Sequence, residues 1–204
     1  MIDHKHRYIY IHIPKTGGSS IERSLINIHY PEITKPVAKW PSKLKTDFVV
    51  GKASNQHWPL NRFDHYQDYT RFCTARNPFS RLVSEYSYIK RGYNTSRAAQ
   101  PGLSFTSFVK QDLIETLAHP YHSLPQTAFI TTATKHIDFI IKFENIQQDF
   151  DTVCDKIGIA RQQLPHLNKT DHKHYTEYYD DETREIVAQK YARDIEYFGY
   201  TFGE

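Results

Sequence analysis

One short turn between two apolar segments constrains the fold of this chain more than any other feature. The segment Tyr8–Ile13 is rich in β-branched and aromatic residues and predicts a buried strand that ends at Pro14. The run Lys15–Ser20, Lys-Thr-Gly-Gly-Ser-Ser, follows directly and is called the glycine loop below. Beyond this loop, apolar residues recur with helical spacing at Ile21, Leu25, Ile26 and Ile28. A strand, a glycine-containing turn and a helix in this order favour an α/β protein.

The rest of the chain continues this alternation of strands and helices. The residue pattern predicts further strands at Phe48–Val50, Thr70–Ala75 and Ile137–Phe143. It predicts helices beginning at the cap Asn77-Pro78, through Phe105–Leu117, over Asn145–Ile157 and from about Asp180 to Glu196. Such alternation implies the α/β class, with a central parallel sheet, right-handed crossovers and flanking helices. We expect the 204 residues to form one domain, 1–204.

Composition and charge exclude several classes of protein. A net charge of +3 is too small to indicate a nucleic-acid-binding protein. No apolar stretch approaches the length of a membrane span, and the polar start leaves no room for a signal peptide. A full-length chain is therefore expected in the cytoplasm, without a membrane partner. Cys73 and Cys154, the two cysteines, cannot build a disulfide framework and are expected to be buried thiols.

The glycine loop has the properties of an anion-binding site. Two glycines allow close approach of the backbone, and the amides at a helix start attract negative charge. The hydroxyls and the lysine add donors, so the predicted binding residues are Lys15, Thr16, Gly17, Gly18, Ser19 and Ser20. A tight turn with a solvent-exposed lysine is the alternative. The lysine precedes the glycines, unlike that of a Walker A loop, which argues against an ATP or GTP hydrolase.

A second candidate site lies at the next junction between a strand and a helix. Arg76 follows the strand Thr70–Ala75, and Ser84 lies two turns into the helix that follows. One phosphate group held by both side chains explains this spacing. Alternatively, Arg76 caps the helix or forms an ion pair, and Ser84 is a small packing residue. Arg81 is expected to be structural.

These two motifs and their order resemble the motifs of PAPS-dependent sulfotransferases. PAPS is 3′-phosphoadenosine-5′-phosphosulfate. The resemblance is to the bacterial and Golgi-type carbohydrate enzymes, which are relatives of the heparan sulfate 2-O-sulfotransferases. It extends over nearly the whole chain through the segments His122–Gln126, Phe143–Ile146 with Asp149 and Phe150, Leu164–Asn168, and Asp194–Tyr200.

The resemblance implies a P-loop-like three-layer α/β fold and a function for each motif. The glycine loop would bind the 5′-phosphosulfate, and Arg76 with Ser84 would bind the 3′-phosphate. Lys169 lies in a loop that relatives close over the nucleotide. PAPS is then the donor, adenosine 3′,5′-bisphosphate the product, and a hydroxyl, expected on a glycan, the acceptor.

The general base is harder to predict from the sequence. Relatives often carry a histidine just after the second strand, where this chain has Ala53. His57 comes four residues later, on the same face if a helical turn begins near Ala53. Imidazole titrates near neutral pH, as a general base should, so Lys15 and His57 are the predicted catalytic residues. A solvent-exposed histidine is the alternative for His57, and the weaker candidates are His122, Glu22 and His12, the last of which is expected to be packed.

By analogy with in-line phosphoryl transfer, the reaction requires no metal. The two His-x-His pairs, His4 with His6 and His172 with His174, lack a visible third ligand and are interpreted as surface histidines. Two alternatives remain: a P-loop kinase, and a degenerate sulfotransferase fold that only binds glycans or nucleotides. Ala53 favours the second. The sequence predicts neither the position that is sulfated nor the oligomeric state.

Overall fold

The computed structural model divides the chain into two compact units. The first contains Met1–Ala75 and Phe129–Leu167, and the second contains Arg76–Ala128 and Asn168–Glu204. The structure describes residues 1–29, 31, 48–49, 57–92, 101–111, 117, 119–132, 136–167 and 173–204. The expectation of a single domain over 1–204 stays a prediction.

A central sheet forms the core of the first unit. Among the described residues its strands are β1 (Ile2–Asp3), β2 (Tyr8–Ile11), β3 (Phe48–Val49), β4 (Thr70–Ala75) and β5 (Phe139–Lys142). They lie in the order β3-β1-β2-β4-β5. Strands β2, β4 and β5 are parallel, whereas β1 pairs antiparallel with both β2 and β3. The predicted α/β class is thus confirmed, and an antiparallel edge extends its parallel sheet.

Two helices cover one face of this sheet. They are α1 (Gly18–His29), which follows β2, and the helix Ile146–Ile157, which follows β5. Tyr8, Tyr10 and Phe72 of the strands pack into one cluster with residues of both helices, among them Ile21, Leu25, Phe150 and Val153. The alternate strand residues Ile9, Ile11 and Cys73 are also buried. Burial on both faces explains why these strands are apolar runs rather than alternating patterns.

Helices make up most of the second unit. Its described helices are α2 (Pro78–Lys90), α3 (Phe105–Lys110), α6 (Asp181–Lys190) and α7 (Ala192–Phe198). Between α3 and α6 in the chain, α4 (Thr127–Ile130) begins in the second unit and ends in the first, and α5 is the helix Ile146–Ile157 of the first unit. Asn77 caps α2 as predicted, because its side chain accepts a hydrogen bond from the Phe79 amide at 3.1 Å. Aromatic residues of α2 and α3 dominate the core, including Phe79, Tyr86, Phe105 and Phe108.

The structure differs from the predicted elements in two helices. The helix expected from about Asp180 to Glu196 is interrupted at Tyr191, where φ is −112° and ψ is 24°. The helix expected over Phe105–Leu117 ends at Lys110 as α3. Residues 112–116 lie outside the described part. Within the described residues, no helix combines the length and apolar character needed to cross a bilayer.

Candidate active site

The backbone of the glycine loop is sharply folded. Lys15 has a φ of 67° and Gly17 a φ of 85°, both in the left-handed region. Left-handed residues that alternate with others can line a concavity with backbone amides, which suits an anion. The loop leads directly into α1 at Gly18, so the first amides of a twelve-residue helix lie beside it.

Neighbouring side chains leave no room for a Cβ atom at either glycine. A Cβ on Gly17 would lie 2.9 Å from Ile146 Cδ1 and 3.0 Å from the Phe143 ring. A Cβ on Gly18 would lie only 2.4 Å from the imidazole of His12. The sequence predicts these glycines from the needs of a ligand, and the structure adds a packing requirement at both.

The polar groups of the loop differ in what they bind. Thr16 is buried, and its hydroxyl donates to the Ile13 carbonyl oxygen at 2.9 Å. That proton is engaged in the turn, so the hydroxyl contributes to the fold of the loop. The amides of Ser20 and Ile21 donate to the Gly17 carbonyl oxygen at 3.0 and 3.5 Å. The amides of Gly18 and Ser19 precede these bonds at the helix start, where an anion is attracted.

The glycine loop lies against a cluster of two histidines and a glutamate. His12 is buried, as predicted, and its Nδ1 lies 3.1 Å from Glu22 Oε1. The His57 ring meets the His12 ring edge-on, with 4.8 Å between the ring centroids. Because Gly18 also contacts His12, the structure brings His57 and the loop to the same imidazole.

The hydrogen bond of His57 determines its tautomer. His57 Nδ1 lies 2.9 Å from the His12 carbonyl oxygen. A carbonyl oxygen only accepts, so Nδ1 carries a proton. In the neutral imidazole the lone pair then resides on Nε2, which is the atom able to take a proton from a hydroxyl. This tautomer is suited to a general base.

In the second unit, a glutamine side chain fixes the backbone of Arg76. The Arg76 amide donates to Gln126 Oε1 at 2.9 Å, and Gln126 Nε2 donates to the Arg76 carbonyl oxygen at 2.8 Å. Gln126 is fully buried. Sequence reasoning missed this residue, although the segment His122–Gln126 contained the signal.

Asp194 of α7 fixes Gln126 in turn. Its carboxylate accepts from the Gln126 amide at 2.6 Å, from the Thr127 amide at 2.9 Å and from the Thr127 hydroxyl at 2.8 Å. Asp194 is fully buried, so these donors take the place of water around the carboxylate. A chain of hydrogen bonds therefore runs from α7 through Gln126 to the backbone of Arg76.

The side chain of Arg76 lies along one face of α2. Arg76 Nε donates to Ser80 Oγ at 2.9 Å. Ser84 follows Ser80 by four residues, so both hydroxyls belong to the same helix face. The structure thus brings Arg76 to the face that carries Ser84, and it adds Ser80, which the sequence analysis did not identify.

The remaining predicted residues either have contacts in the structure or lie outside the residues that it describes. Arg81 is structural, because its guanidinium donates to the carbonyl oxygens of Leu124 and His122 at 3.0 and 3.2 Å. His122 is paired with the buried Glu85, at 2.8 Å between Nδ1 and Oε2. Lys169, Ala53 and His172 lie outside the described residues.

Both cysteines are reduced and buried, as predicted. Burial raises the pKa of the Cys73 thiol to about 12. A thiol with so high a pKa is not a nucleophile at neutral pH, which agrees with a packing role.

Comparison with known proteins matches the sequence of this chain to a family. A model described as the sulfotransferase family matches residues 1–201. An uncharacterized protein of Archaeoglobus fulgidus is 32% identical over 104 residues, which cover 50% of this chain and 79% of the relative. The crystal structure of a sulfotransferase from Alicyclobacillus acidocaldarius is similar with a TM-score of 0.46 at 12% identity. That match covers 96% of this chain and 97% of the other.

Proposed function

Because this chain belongs to the sulfotransferase family, we propose that it transfers the sulfuryl group of PAPS to a hydroxyl group of a carbohydrate. The observation that carries the proposal is the glycine loop, in which Lys15 and Gly17 take left-handed conformations directly before the start of α1. A backbone of this shape offers several amides to one anionic group. The lysine supplies a positive charge next to them.

In the proposed reaction, the glycine loop binds the 5′-phosphosulfate. The acceptor oxygen attacks sulfur in line, and the bond between sulfur and the bridging phosphate oxygen breaks. Negative charge develops on the departing phosphate, so Lys15 contributes most when this bond is broken. The products are a sulfate ester and adenosine 3′,5′-bisphosphate.

The 3′-phosphate of the donor is assigned to Arg76 and Ser84. The bond from Arg76 Nε to Ser80 Oγ supports this, because it aligns the guanidinium with the serine face of α2. Hydrogen bonds between a guanidinium and a phosphate are charge-assisted and directional. Gln126 and Asp194 act as positioning residues, since they hold the backbone from which Arg76 extends. Lys169 is proposed to contact the nucleotide as well.

His57 is the proposed general base. Its Nδ1 donates to a carbonyl oxygen, which supports proton uptake at Nε2 from the attacking hydroxyl. His12 and Glu22 act as positioning residues for this imidazole, because His12 provides both the carbonyl oxygen and a ring contact. The bonds and protons of the proposed reaction balance without a metal ion.

Binding of the bisphosphate product tests the donor assignment. We expect adenosine 3′,5′-bisphosphate to raise the unfolding temperature without metal, and ATP with magnesium to raise it less. At ~100 times the dissociation constant, a specific ligand adds ~2.7 kcal/mol to the free energy of unfolding. Arg76→Ala should bind the bisphosphate ~10–100-fold more weakly, because a charge-assisted contact is lost. The exposed Arg62→Ala is the control and should bind as the parent does.

Two results would contradict the donor assignment. A shift that requires ATP and magnesium would indicate a kinase. Equal bisphosphate affinity in Arg76→Ala and the parent would remove Arg76 from the 3′-phosphate site while leaving the glycine loop in place.

A further inference from the structure

Two histidines and an aspartate converge at the end of α1 that is opposite the glycine loop. Asp3 belongs to β1, His6 to the turn between β1 and β2, and His29 is the last residue of α1. Asp3 Oδ2 lies 3.2 Å from His6 Nδ1 and 3.2 Å from His29 Nε2. The three donor atoms all lie within 4.8 Å of one another. In the sequence His6 stands out only as part of a His-x-His pair, because its partner His29 on α1 is far away along the chain.

The backbone holds the Asp3 carboxylate in place. Asp3 Oδ1 accepts from the amides of Lys5 and His6 at 2.8 and 2.9 Å. These bonds direct the other oxygen, Oδ2, at the two imidazoles. Secondary hydrogen bonds of this kind orient carboxylate ligands in metal sites.

The spacing of the donor atoms suits a small divalent ion. In a tetrahedral zinc site with bonds of about 2.0–2.1 Å, neighbouring donor atoms are separated by about 3.3 Å. Both distances from Asp3 Oδ2 agree with this value. The His6 side chain is 21% exposed, so water can complete the coordination from that side. Two imidazoles and one carboxylate form a donor set typical of zinc and neighbouring transition metals.

Burial and charge favour an ion at this position. The side chains of Asp3 and His29 are 3% and 5% exposed. The rings of His6 and His29 stack with 4.1 Å between their centroids, so both imidazoles lie together at the Asp3 carboxylate. A cation next to the last turn of α1 also interacts favourably with the helix dipole.

We propose that Asp3, His6 and His29 bind one Zn²⁺-type transition-metal ion that stabilises the first unit. The ion would join β1 and the turn before β2 to the end of α1. Since α1 has twelve residues and rises 1.5 Å per residue, the site lies about 16 Å from the glycine loop. The site would therefore stabilise the fold and is independent of the proposed sulfuryl transfer.

Metal titration of the chelator-treated full chain tests this proposal. We expect the parent to bind one equivalent of Zn²⁺ with a rise in the unfolding temperature, and to bind Co²⁺ with visible ligand-field absorption. Mg²⁺ should do neither. His6→Gln should weaken Zn²⁺ binding at least ~10-fold, and so should His29→Gln. His65→Gln changes an exposed histidine of the same unit and should behave as the parent does.

His6→Gln is the decisive variant, because its side chain is the most exposed of the three and its replacement leaves the core intact. Its folding is checked by the unfolding temperature without metal. Failure of the parent to take up Zn²⁺ and Co²⁺ at protein-equivalent concentration would overturn the proposal and leave a hydrogen-bonded triad. Equal affinity and equal thermal shift in His6→Gln and the parent would also overturn it, by assigning the ion to other histidines.

Discussion

The two glycines of the loop are required for different reasons. Gly17 combines a left-handed φ of 85° with contacts to Ile146 and Phe143 that exclude a side chain. Gly18 has no left-handed φ, and the His12 imidazole excludes a Cβ there. A substitution at Gly18 therefore tests packing between the loop and the histidine without adding backbone strain.

Gly18→Ala should lower the free energy of unfolding by about 1–3 kcal/mol, the usual cost of overpacking a close contact. Ser19→Ala, one residue further and half-buried, is the control and should change it by less than about 0.5 kcal/mol. Urea unfolding measures both. If Gly18→Ala were as stable as Ser19→Ala, the His12 ring would not lie against the loop.

His57→Ala should slow sulfuryl transfer by ~10²–10⁴-fold and leave bisphosphate affinity nearly unchanged, because a general base contacts the acceptor rather than the nucleotide. His65→Ala, an exposed histidine, is the control. Unchanged transfer in His57→Ala would exclude His57 as the base and leave Glu22 and His122 as candidates.

Single residues were predictable from sequence where their chemistry identifies them. The buried cysteines, the packed His12 and the helix cap Asn77 are of this kind, whereas the roles of Lys15 and Arg76 stay predictions. Ser80, Gln126 and Asp194 were not identified, because their contacts join segments that are distant in sequence or bind backbone groups. Residues that position other residues carry no ligand-binding motif of their own, so the sequence does not mark them.

At the scale of elements, Asp194 joins α7 to the segment that holds Arg76. Asp194→Ala removes the acceptor of three buried hydrogen bonds and should lower the free energy of unfolding by about 3–5 kcal/mol. Glu196→Ala, at an exposed position of the same helix, is the matched control. Equal unfolding midpoints for the two variants would show that the carboxylate is not a buried acceptor.

The elements that sequence periodicity missed are short or set by tertiary contacts. Strand β1 has two residues, too few for a periodic pattern. The interruption between α6 and α7 occurs at Tyr191, where no proline or glycine marks it. Tyr191 is buried, and its hydroxyl donates to the Ser123 carbonyl oxygen at 3.2 Å. Packing of this side chain is not encoded in the helical repeat, so the sequence predicts one continuous helix.

At the scale of the whole molecule, the α/β class was predictable because β2 and β4 are buried apolar strands and helices separate β2, β4 and β5 along the chain. The sulfotransferase family was predictable because the glycine loop and the Arg76 segment appear in the family's order. The antiparallel edge was not, since its strands β1 and β3 have only two described residues each, too few for a periodic pattern. The donor, the acceptor and the site residues remain proposals, since family membership fixes only the general reaction.

Transfer of labelled sulfate from PAPS to a panel of glycans and phenols tests the central claim most directly. The parent should label a glycan hydroxyl, and Lys156→Ala, which changes an exposed lysine, should do the same. Lys15→Ala should lower the transfer rate by ~10²–10³-fold while bisphosphate binding weakens far less, because the lysine acts on charge that develops in the transition state. Tight bisphosphate binding by the parent without transfer to any acceptor would contradict the account and indicate a degenerate binding module.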